Sequence, residues 1–306
     1  MAKHLFRVTL VNPKDTMEEE IVRRSASFEV SDAALKGHLC VHVQEMDASE
    51  RWGTGLRIYG RDLMTEWGNH LAVHPSLSYP FLKKFWKKSP LDVLLSELNY
   101  ALEVVRDKSS SHGGRFVLGK EFVLFSDDFS TEKRRVKTFL RSAGLDVPYY
   151  FLPSLTSIGA GHIDCDYAIV DPARVLYGSP GVFSSPGLIR PDDSEKQALK
   201  GLKELEHIAR AHNFELREYK PDPANYLGEA PPDGNRAWDA SNLWEEFSKR
   251  GKGINLIVDG RNIFTSEIHP EERIYLRGKG IEVVVVPLGK VNMGAGLRCI
   301  YGEFTV

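Results

Sequence analysis

Residues Gly161–Asp166 read GHIDCD and are followed by the apolar run Tyr167–Val170. A short apolar run after a turn is typical of a buried strand, so we predict that a strand begins within this stretch. Side chains alternate along a strand, which places His162 and Asp164 on one face and Cys165 on the other. A histidine and a carboxylate on one face are two of the groups that assist a thiol nucleophile.

A thiol is supplied by a second glycine-rich stretch, Gly294–Cys299, which reads GAGLRC. In enzymes with a catalytic cysteine, the assisting histidine is commonly distant in sequence and close in the fold. Cys299 and His162 are therefore a candidate nucleophile and its acid/base partner. The plain alternative is that Cys299 is a small buried apolar side chain, as many single cysteines are.

The first stretch also contains four residues of types that can bind metals, namely His162, Asp164, Cys165 and Asp166. Alternation along a strand would separate Cys165 from the other three, and one local run rarely completes a coordination shell. The chain has three cysteines, widely spaced and without a C-x-x-C pair. We therefore expect no metal site, no disulfide framework and no cofactor.

The composition is that of an ordinary globular protein, since 42% of the 306 residues are hydrophobic and 27% are charged. A net charge of −2 gives no reason to expect a nucleic acid or a membrane surface as a partner. No stretch approaches the roughly 18 apolar residues of a membrane span, and no apolar secretion signal follows Met1. We expect a single domain over residues 1–306, with an irregular excursion around residues 220–239, and a cytoplasmic location.

Strand and helix patterns alternate along the chain. The predicted strands are His4–Val11, Leu39–Val43, Leu56–Asp62, Glu121–Phe125, Phe214–Tyr219, Ile254–Val258 paired with Asn262–Thr265, and Ile281–Val286. The predicted helices are a short one ending near Arg24, Leu91–Arg106, Thr131–Ala143, Asp193–Ala211 and Pro270–Arg277, and Leu176–Pro191 is predicted to be a long loop. A last strand is expected after Cys299.

A similar unit recurs, with a polar or glycine-rich start, an apolar pair that resembles a hairpin, and a helix. The units begin near Gly60, Gly113, Gly161, Gly253 and Gly294. Five strand–helix units of about 50 residues suit a propeller-like ring whose polar strand ends face a central channel. The same alternation also permits a doubly wound α/β sheet, so the pattern alone leaves both architectures open.

Four motifs resemble those of the pentein, or amidinotransferase, superfamily of guanidine-modifying enzymes. This group includes arginine deiminases, dimethylarginine dimethylaminohydrolases and glycine amidinotransferases. The motifs are Gly60-Arg61-Asp62 with Gly68-Asn69, His162-Ile163-Asp164, Ile254-Asn255-Leu256 and Gly294–Cys299. The resemblance implies an α/β fold arranged as a five-bladed propeller, which agrees with the five units.

The resemblance also implies roles for these residues. Cys299 would be the nucleophile, His162 the general acid and base, and Asp62 and Asp164 the carboxylates that bind the guanidinium of a small-molecule substrate. Carboxylates suit that task because they pair with the flat N–H fork of a guanidinium. Arg61, beside Asp62, belongs to the predicted substrate-binding set. A homo-oligomer is compatible with the resemblance.

One segment departs from the family's pattern. Where the family carries a Glu-Gly-Gly-Asp box or a related acidic one, this chain has His112-Gly113-Gly114-Arg115. His112 is a candidate substitute for the lost acid, as a base or as a hydrogen-bond partner of His162, although a loop histidine is the simpler interpretation. Arg115 is a candidate for holding a carboxylate or phosphate on the substrate.

The sequence therefore predicts a cysteine enzyme that hydrolyses or transfers the amidino group of arginine or a related small guanidino compound, with hydrolysis slightly favoured. The alternative is a non-catalytic protein that keeps the fold and acts in binding or as a scaffold, which the His112–Arg115 departure supports. The two interpretations predict different geometry, because only the enzyme requires the Cys299 sulfur to face His162.

Overall fold

The computed structural model describes residues 2–13, 16–47, 60–67, 70–73, 103–105, 113–127, 130, 133–142, 144–155, 162–183, 193–220, 254–288 and 296–305. The predictions that concern Gly68-Asn69, His112, the turn at residues 159–161 and the excursion at residues 221–239 lie outside these ranges. The same holds for Gly294 and for most of the helix predicted at Leu91–Arg106.

Fifteen strands form five three-stranded sheets in the described part of the chain. In chain order they are β1 (Lys3–Val11), β2 (Cys40–Asp47), β3 (Met64–Trp67), β4 (His70–Val73), β5 (Glu103–Val105), β6 (Phe116–Leu118), β7 (Val123–Ser126), β8 (Tyr149–Leu152), β9 (Tyr167–Val170), β10 (Val175–Gly178), β11 (Glu215–Glu218), β12 (Ile257–Asp259), β13 (Asn262–Thr265), β14 (Glu282–Val285) and β15 (Gly302–Thr305). The sheet orders are β15-β1-β2, β3-β4-β5, β6-β7-β8, β9-β10-β11 and β12-β13-β14.

Helices connect the strands. The described ones are α1 (Thr16–Ser27), α2 (Glu29–Leu35), α3 (Gly60–Leu63), α4 (Lys133–Ser142), α5 (Pro180–Phe183), α6 (Asp193–His212), α7 (Pro270–Gly278) and α8 (Leu297–Ile300). Short 3-10 turns lie at Gly113–Arg115, Ile163–Cys165 and Asp171–Ala173. None of these helices combines the length and the apolar character needed to cross a membrane.

All five sheets share one pairing pattern. The middle strand is antiparallel to one neighbour and parallel to the other, as β7 is to β6 and β8. A parallel pair requires a crossover connection, and α4, α6 and α7 supply it for the sheets centred on β7, β10 and β13. In the sheet centred on β1, the middle strand pairs antiparallel with the distant β15, with Lys3 opposite Thr305.

The packing explains why these segments fold locally as they do. Strand β9 (YAIV) is buried along its whole length, as a strand covered on both faces should be. Helix α6 places Leu205 and Ile208 against Phe122 and Ile169 in one buried cluster. Each such side chain contributes about 1.5–3 kcal/mol by leaving water. Helix α7 begins with Pro270, and the His269 ring accepts a hydrogen bond from a first-turn backbone N–H.

Most of the predicted elements in the described ranges are confirmed within a few residues. These are the first two strands, the early polar helix, β7, α4, α6, β11, the β12–β13 hairpin, α7, β14 and the final strand. These elements were predictable because their periodicity and turn residues are signals within a short stretch of sequence. For example, Gly144 follows α4 closely and has the positive φ of 71° that suits a glycine at the end of a helix.

Three predicted elements are wrong within the described ranges. Only the last three residues of the strand predicted at Leu56–Asp62 are described, and they form a helical turn from Gly60, where an added Cβ would lie 2.3 Å from the carbonyl oxygen of Phe6. The predicted helix Leu91–Arg106 contains the strand β5. The predicted loop Leu176–Pro191 overlaps β10 and α5, because the sheet partners of β10 stabilise a strand beside residues that favour turns.

Candidate active site

The segment that carries His162 is a turn, so the predicted strand alternation is wrong there. His162 is extended, Ile163–Cys165 form a single 3-10 turn, and the backbone N–H of Asp166 donates to the Ile163 carbonyl at 2.9 Å. The buried Asp166 side chain fixes this turn, because its carboxylate accepts a hydrogen bond from the backbone N–H of Leu155 at 2.8 Å. The strand therefore begins only at Tyr167.

The turn brings Cys165 to the same place as Asp164 and Cys299. An Asp164 carboxylate oxygen and the two sulfur atoms all lie within 4.8 Å of one another. The Cys165 thiol donates a hydrogen bond to the Asp164 Oδ1 at 3.8 Å, and its interaction with the Cys299 sulfur is the largest influence on the pKa of either thiol. The sequence predicted Cys165 on the opposite face, and it missed this thiol as a member of the site. A strand pattern could not have revealed it, since alternation does not apply within a turn.

Cys299 is buried in the short helix α8, and Asn255 positions it. The Asn255 side-chain oxygen accepts the Cys299 backbone N–H at 2.8 Å, and its side-chain nitrogen donates to the Asp164 carbonyl at 3.2 Å. Asn255 thus bridges the two stretches that the sequence identified. Gly296 is required beside it, because an added Cβ would lie 2.2 Å from the Asn255 Cβ.

The surroundings of Cys299 favour the thiolate. The hydrogen bond from Cys165 is the largest influence and lowers the pKa of Cys299, and a hydrogen bond with His162 and the charge of that ring lower it further. Burial and the carboxylate of Asp164 act in the opposite direction, but the net shift is downward. The pKa of Cys165 is raised, first by its interaction with Cys299 and then by burial and the neighbouring carboxylates.

This electrostatic pattern predicts an unusual pH profile for alkylation. Only a thiolate reacts rapidly with iodoacetamide, so a lowered pKa moves half-maximal reactivity of Cys299 below the value of about 8.5 for a free cysteine. Replacing Cys165 by alanine removes the main stabilising hydrogen bond, and the midpoint should then rise. The measurement is the alkylation rate of Cys299 against pH, read by peptide mass spectrometry with a small free thiol as reference. An unshifted profile in both proteins would contradict this assignment.

Arg61 links the site to the final strand. Its side chain is 2% exposed, and its Nε lies 3.2 Å from the Asp164 carboxylate while Nη1 lies 3.5 Å from Glu303. The same guanidinium donates to the carbonyl oxygens of Gly113 at 2.8 Å and Phe116 at 3.0 Å. Asp164 therefore has a fixed cationic partner within the protein.

Arg61 keeps its positive charge despite its burial, because carboxylates lie close to it. Burial, together with Arg298, lowers the pKa of Arg61 to about 10, and Asp164 and Glu303 oppose that shift. The guanidinium is thus still charged near neutral pH. Burial alone would raise the pKa of Glu303, but Lys3, Arg298 and Arg61 lower it to about 2.

The Gly-Gly pair of the His112–Arg115 segment packs directly against site residues. An added Cβ at Gly114 would lie 2.5 Å from His162 Nδ1, and one at Gly113 would lie 2.4 Å from the Arg61 Cγ. The two glycines therefore allow the turn to approach both side chains. Arg115 ends this turn and is half-buried, and His112 lies outside the described residues. Their predicted substrate contacts stay predictions.

A methyl group at Gly114 is expected to displace the His162 ring. We expect Gly114→Ala to cost about 1–3 kcal/mol of unfolding free energy, as overpacking does. Because His162 helps to lower the Cys299 pKa, the alkylation midpoint should also move to higher pH. Urea unfolding and the alkylation profile measure the two effects.

A matched control is Gly278→Ala at the end of α7, where an added Cβ meets nothing within 4 Å. It should leave both readings nearly unchanged. Equal behaviour of the two variants would show that the close approach of Gly114 to His162 has no consequence.

The remaining predicted ligand, Asp62, lies in the backbone of α3, and its side chain is outside the description. The cluster of Asp164, Cys165 and Cys299 offers three atoms of types that bind metals. The permanent charge of Arg61, 3.2 Å from the Asp164 carboxylate, opposes a second cation at this position. This charge argues against a metal ion held by the three residues.

A cavity of about 420 Å³ adjoins the site from another side. Its lining includes Lys3, Arg61, Arg298 and Glu303, but not Cys299. Arg61 separates this charged cavity from the thiols, because it borders the cavity and also contacts Asp164.

Comparison with known proteins gives a clear fold and no sequence relative. No protein-family model matches the chain, and no curated protein sequence matches it. Solved structures do match over nearly its whole length. One is DDAH from Pseudomonas aeruginosa, a cysteine-to-serine mutant complexed with citrulline, with 12% identity, a TM-score of 0.56, and coverage of 99% of this chain and 100% of that chain.

Two further structures agree with the first. A C. jejuni agmatine deiminase, a cysteine-to-serine variant with substrate bound, has 13% identity and a TM-score of 0.53 and covers 99% of this chain and 93% of that chain. The putative arginine deiminase from Porphyromonas gingivalis has 15% identity and a TM-score of 0.54 and covers 99% of this chain and 95% of that chain. The chain has the α/β fold of these solved structures, which agrees with the fold class that its motifs predicted; at these identities the likeness shows the fold alone.

Proposed function

We propose that this chain is a guanidine-modifying enzyme that uses Cys299 as a nucleophile on a small guanidino compound. The observation that carries the proposal is the convergence of a buried, thiolate-favouring Cys299 with His162 and Asp164. The structural neighbours support it, since they are named as an arginine deiminase, an agmatine deiminase and DDAH. Two of them were solved as cysteine-to-serine variants with citrulline or substrate bound.

We further infer that the five sheets are the blades of one propeller. Each has three strands with the same pairing, and β15 completes the sheet of β1, which is how a ring built from one chain can be closed. In such a ring the short turns at Gly113–Arg115 and Ile163–Cys165 and the helices α3 and α8 would meet near the axis. The contacts among these four segments support that arrangement.

The proposed reaction starts with attack of the Cys299 thiolate on the guanidinium carbon. The sulfur–carbon bond forms as the carbon becomes tetrahedral, and then one carbon–nitrogen bond breaks. His162 gives its proton to the departing amine, which leaves a thiouronium on Cys299. Neutral His162 then takes a proton from water, the new oxygen–carbon bond forms, and Cys299 departs as thiolate. An amine in place of water would give amidino transfer.

Each polar group has a stated task in this scheme. Cys165 and His162 hold Cys299 as a thiolate before attack. Asp62 and Asp164 are the proposed guanidinium ligands. Because Asp164 is already paired with Arg61, its carboxylate is fixed in place before substrate arrives. Arg61 would then act through Asp164 as a positioning residue, while Arg115 and His112 are the candidates for contacts beyond the guanidinium.

The alternative is a binding protein without turnover, and the absence of both box acids in His112–Arg115 favours it. One experiment separates the two. Arginine, agmatine, methylarginines and guanidinoacetate are incubated with the protein, each with and without an amine acceptor. We expect a ureido product or a transferred amidino group, and a covalent amidino adduct on the Cys299 peptide by mass spectrometry. Thermal shifts without product or adduct would instead establish the binding protein.

A further inference from the structure

The proposed reaction requires one thiol, but the site holds two. The sulfur atoms of Cys165 and Cys299 lie within 4.8 Å of each other, and the Cys165 thiol donates a hydrogen bond to the Asp164 carboxylate at 3.8 Å. Cys165 is half-buried, whereas Cys299 is 9% exposed. A reactive thiolate beside a second thiol is the arrangement in which an oxidised cysteine is captured as a disulfide.

We propose that Cys165 and Cys299 form a reversible disulfide when a hydroperoxide oxidises Cys299, and that this bond switches the site off. The loss of activity rests on the proposed function, whereas formation of the disulfide does not. Cys299 would be the peroxide-reactive thiol and Cys165 the thiol that resolves it.

The disulfide between Cys165 and Cys299 forms in two steps. In the first, the Cys299 thiolate attacks one oxygen of the hydroperoxide, an S–O bond forms as the O–O bond breaks, and the other oxygen leaves with the bond's electron pair and takes a proton to become an alcohol or water; Cys299 is thereby oxidised by two electrons to a sulfenic acid. In the second, the Cys165 sulfur attacks the Cys299 sulfur, the S–O bond breaks, and the Cys165 proton leaves with the hydroxyl group as water. A dithiol reductant returns both cysteines to thiols by exchange.

The local structure is suited to this closure. A disulfide requires the sulfurs to approach to about 2.05 Å. Cys165 ends a single 3-10 turn and Cys299 lies in a four-residue helix, so short segments rather than long helices carry the two thiols. Asp164 adds a driving force, because its carboxylate lies within 4.8 Å of both sulfurs and its charge opposes a thiolate on Cys299. The disulfide removes the negative charge of that thiolate.

The test begins with the chain carrying Cys40→Ser, which removes the remaining, exposed cysteine. The protein is treated with limiting hydrogen peroxide, alkylated, digested without reduction and mapped by mass spectrometry. We expect one peptide pair joined through Cys165 and Cys299, lighter by two hydrogen atoms and fully released by dithiothreitol. Finding both peptides unlinked while Cys299 carries oxygen would overturn the proposal.

A Cys165→Ser variant provides the second arm. Without a resolving thiol, Cys299 should proceed to sulfinic acid, and about tenfold more of it should accumulate than in the parent at the same peroxide dose. Equal sulfinic acid in both proteins would also overturn the proposal. Circular dichroism checks that the Cys165→Ser variant is folded. If the variant does not fold, the crosslink in the parent chain still decides the proposal. A Cys165–Cys299 crosslink without turnover of any guanidino compound would support the disulfide proposal and contradict the proposed enzyme function. Turnover without a crosslink would support the enzyme function and contradict the disulfide proposal.

Discussion

Replacing Cys299 by alanine is expected to abolish product formation from any guanidino substrate, with a loss on the order of 10⁴-fold or more. The reason is that no other group in the described site can form the covalent intermediate in its place. Cys165 is close, but its pKa is raised by its hydrogen bond to Cys299 and by burial, so it is held as the neutral thiol. The measurement is the turnover number with the best substrate of the panel.

Two variants sharpen that result. Cys299→Ser should lose the covalent adduct but still bind substrate, because it changes one atom and keeps the backbone bond to Asn255. Cys40→Ala should retain full activity, since Cys40 is exposed in β2 and opposite His4 in the sheet. Activity that survives in Cys299→Ala would refute the nucleophile assignment and leave the fold assignment untouched.

Arg61→Met is expected to cost about 3–5 kcal/mol of unfolding free energy. The substitution leaves Asp164 without its 3.2 Å partner and removes one of the cations around Glu303. The carbonyl oxygens of Gly113 and Phe116 also lose their donor. Unpaired buried charges are far more destabilising than a lost surface contact. Urea unfolding at neutral pH measures the difference.

The pH dependence of that loss provides a specific readout. The low pKa of Glu303, about 2, means that its ion pairs stabilise the fold at neutral pH and lose that effect as the pH falls toward 2. Removing Arg61 raises this pKa, so the stability difference between variant and parent should shrink in acid. Lys200→Met, which breaks an exposed 3.1 Å pair with Asp127, is the control and should stay within about 1 kcal/mol at neutral pH. A comparable effect of both substitutions would contradict the buried-charge explanation.

The sequence predicted the elements whose signals are local. The β12–β13 hairpin follows from two apolar runs around Asp259-Gly260, and Gly260 has the positive φ of 57° that such a turn requires. Helices α6 and α7 follow from their apolar periodicity and end signals. The motifs at Arg61, His162 and Cys299 also identified segments that converge in the fold.

The parts that the sequence did not predict depend on distant partners. The turn at Ile163–Cys165 replaces a strand because Asp166 bonds to backbone groups on other segments, among them the N–H of Leu155. The pairing of Cys165 with Cys299 joins residues far apart in sequence, and no spacing rule reports it. The role of Asn255 was likewise invisible, since its two hydrogen bonds run to Asp164 and Cys299.

The sheet that joins β15 to β1 has a consequence for how the protein folds. The other four sheets each assemble from one continuous part of the chain, but Lys3 must find Thr305, and long-range pairing of this kind is slow. Cys299 lies immediately before β15, so its surroundings are completed by the same late event. We expect refolding to show a rapid phase for the four local sheets and a slower one in which Cys299 becomes protected from alkylation.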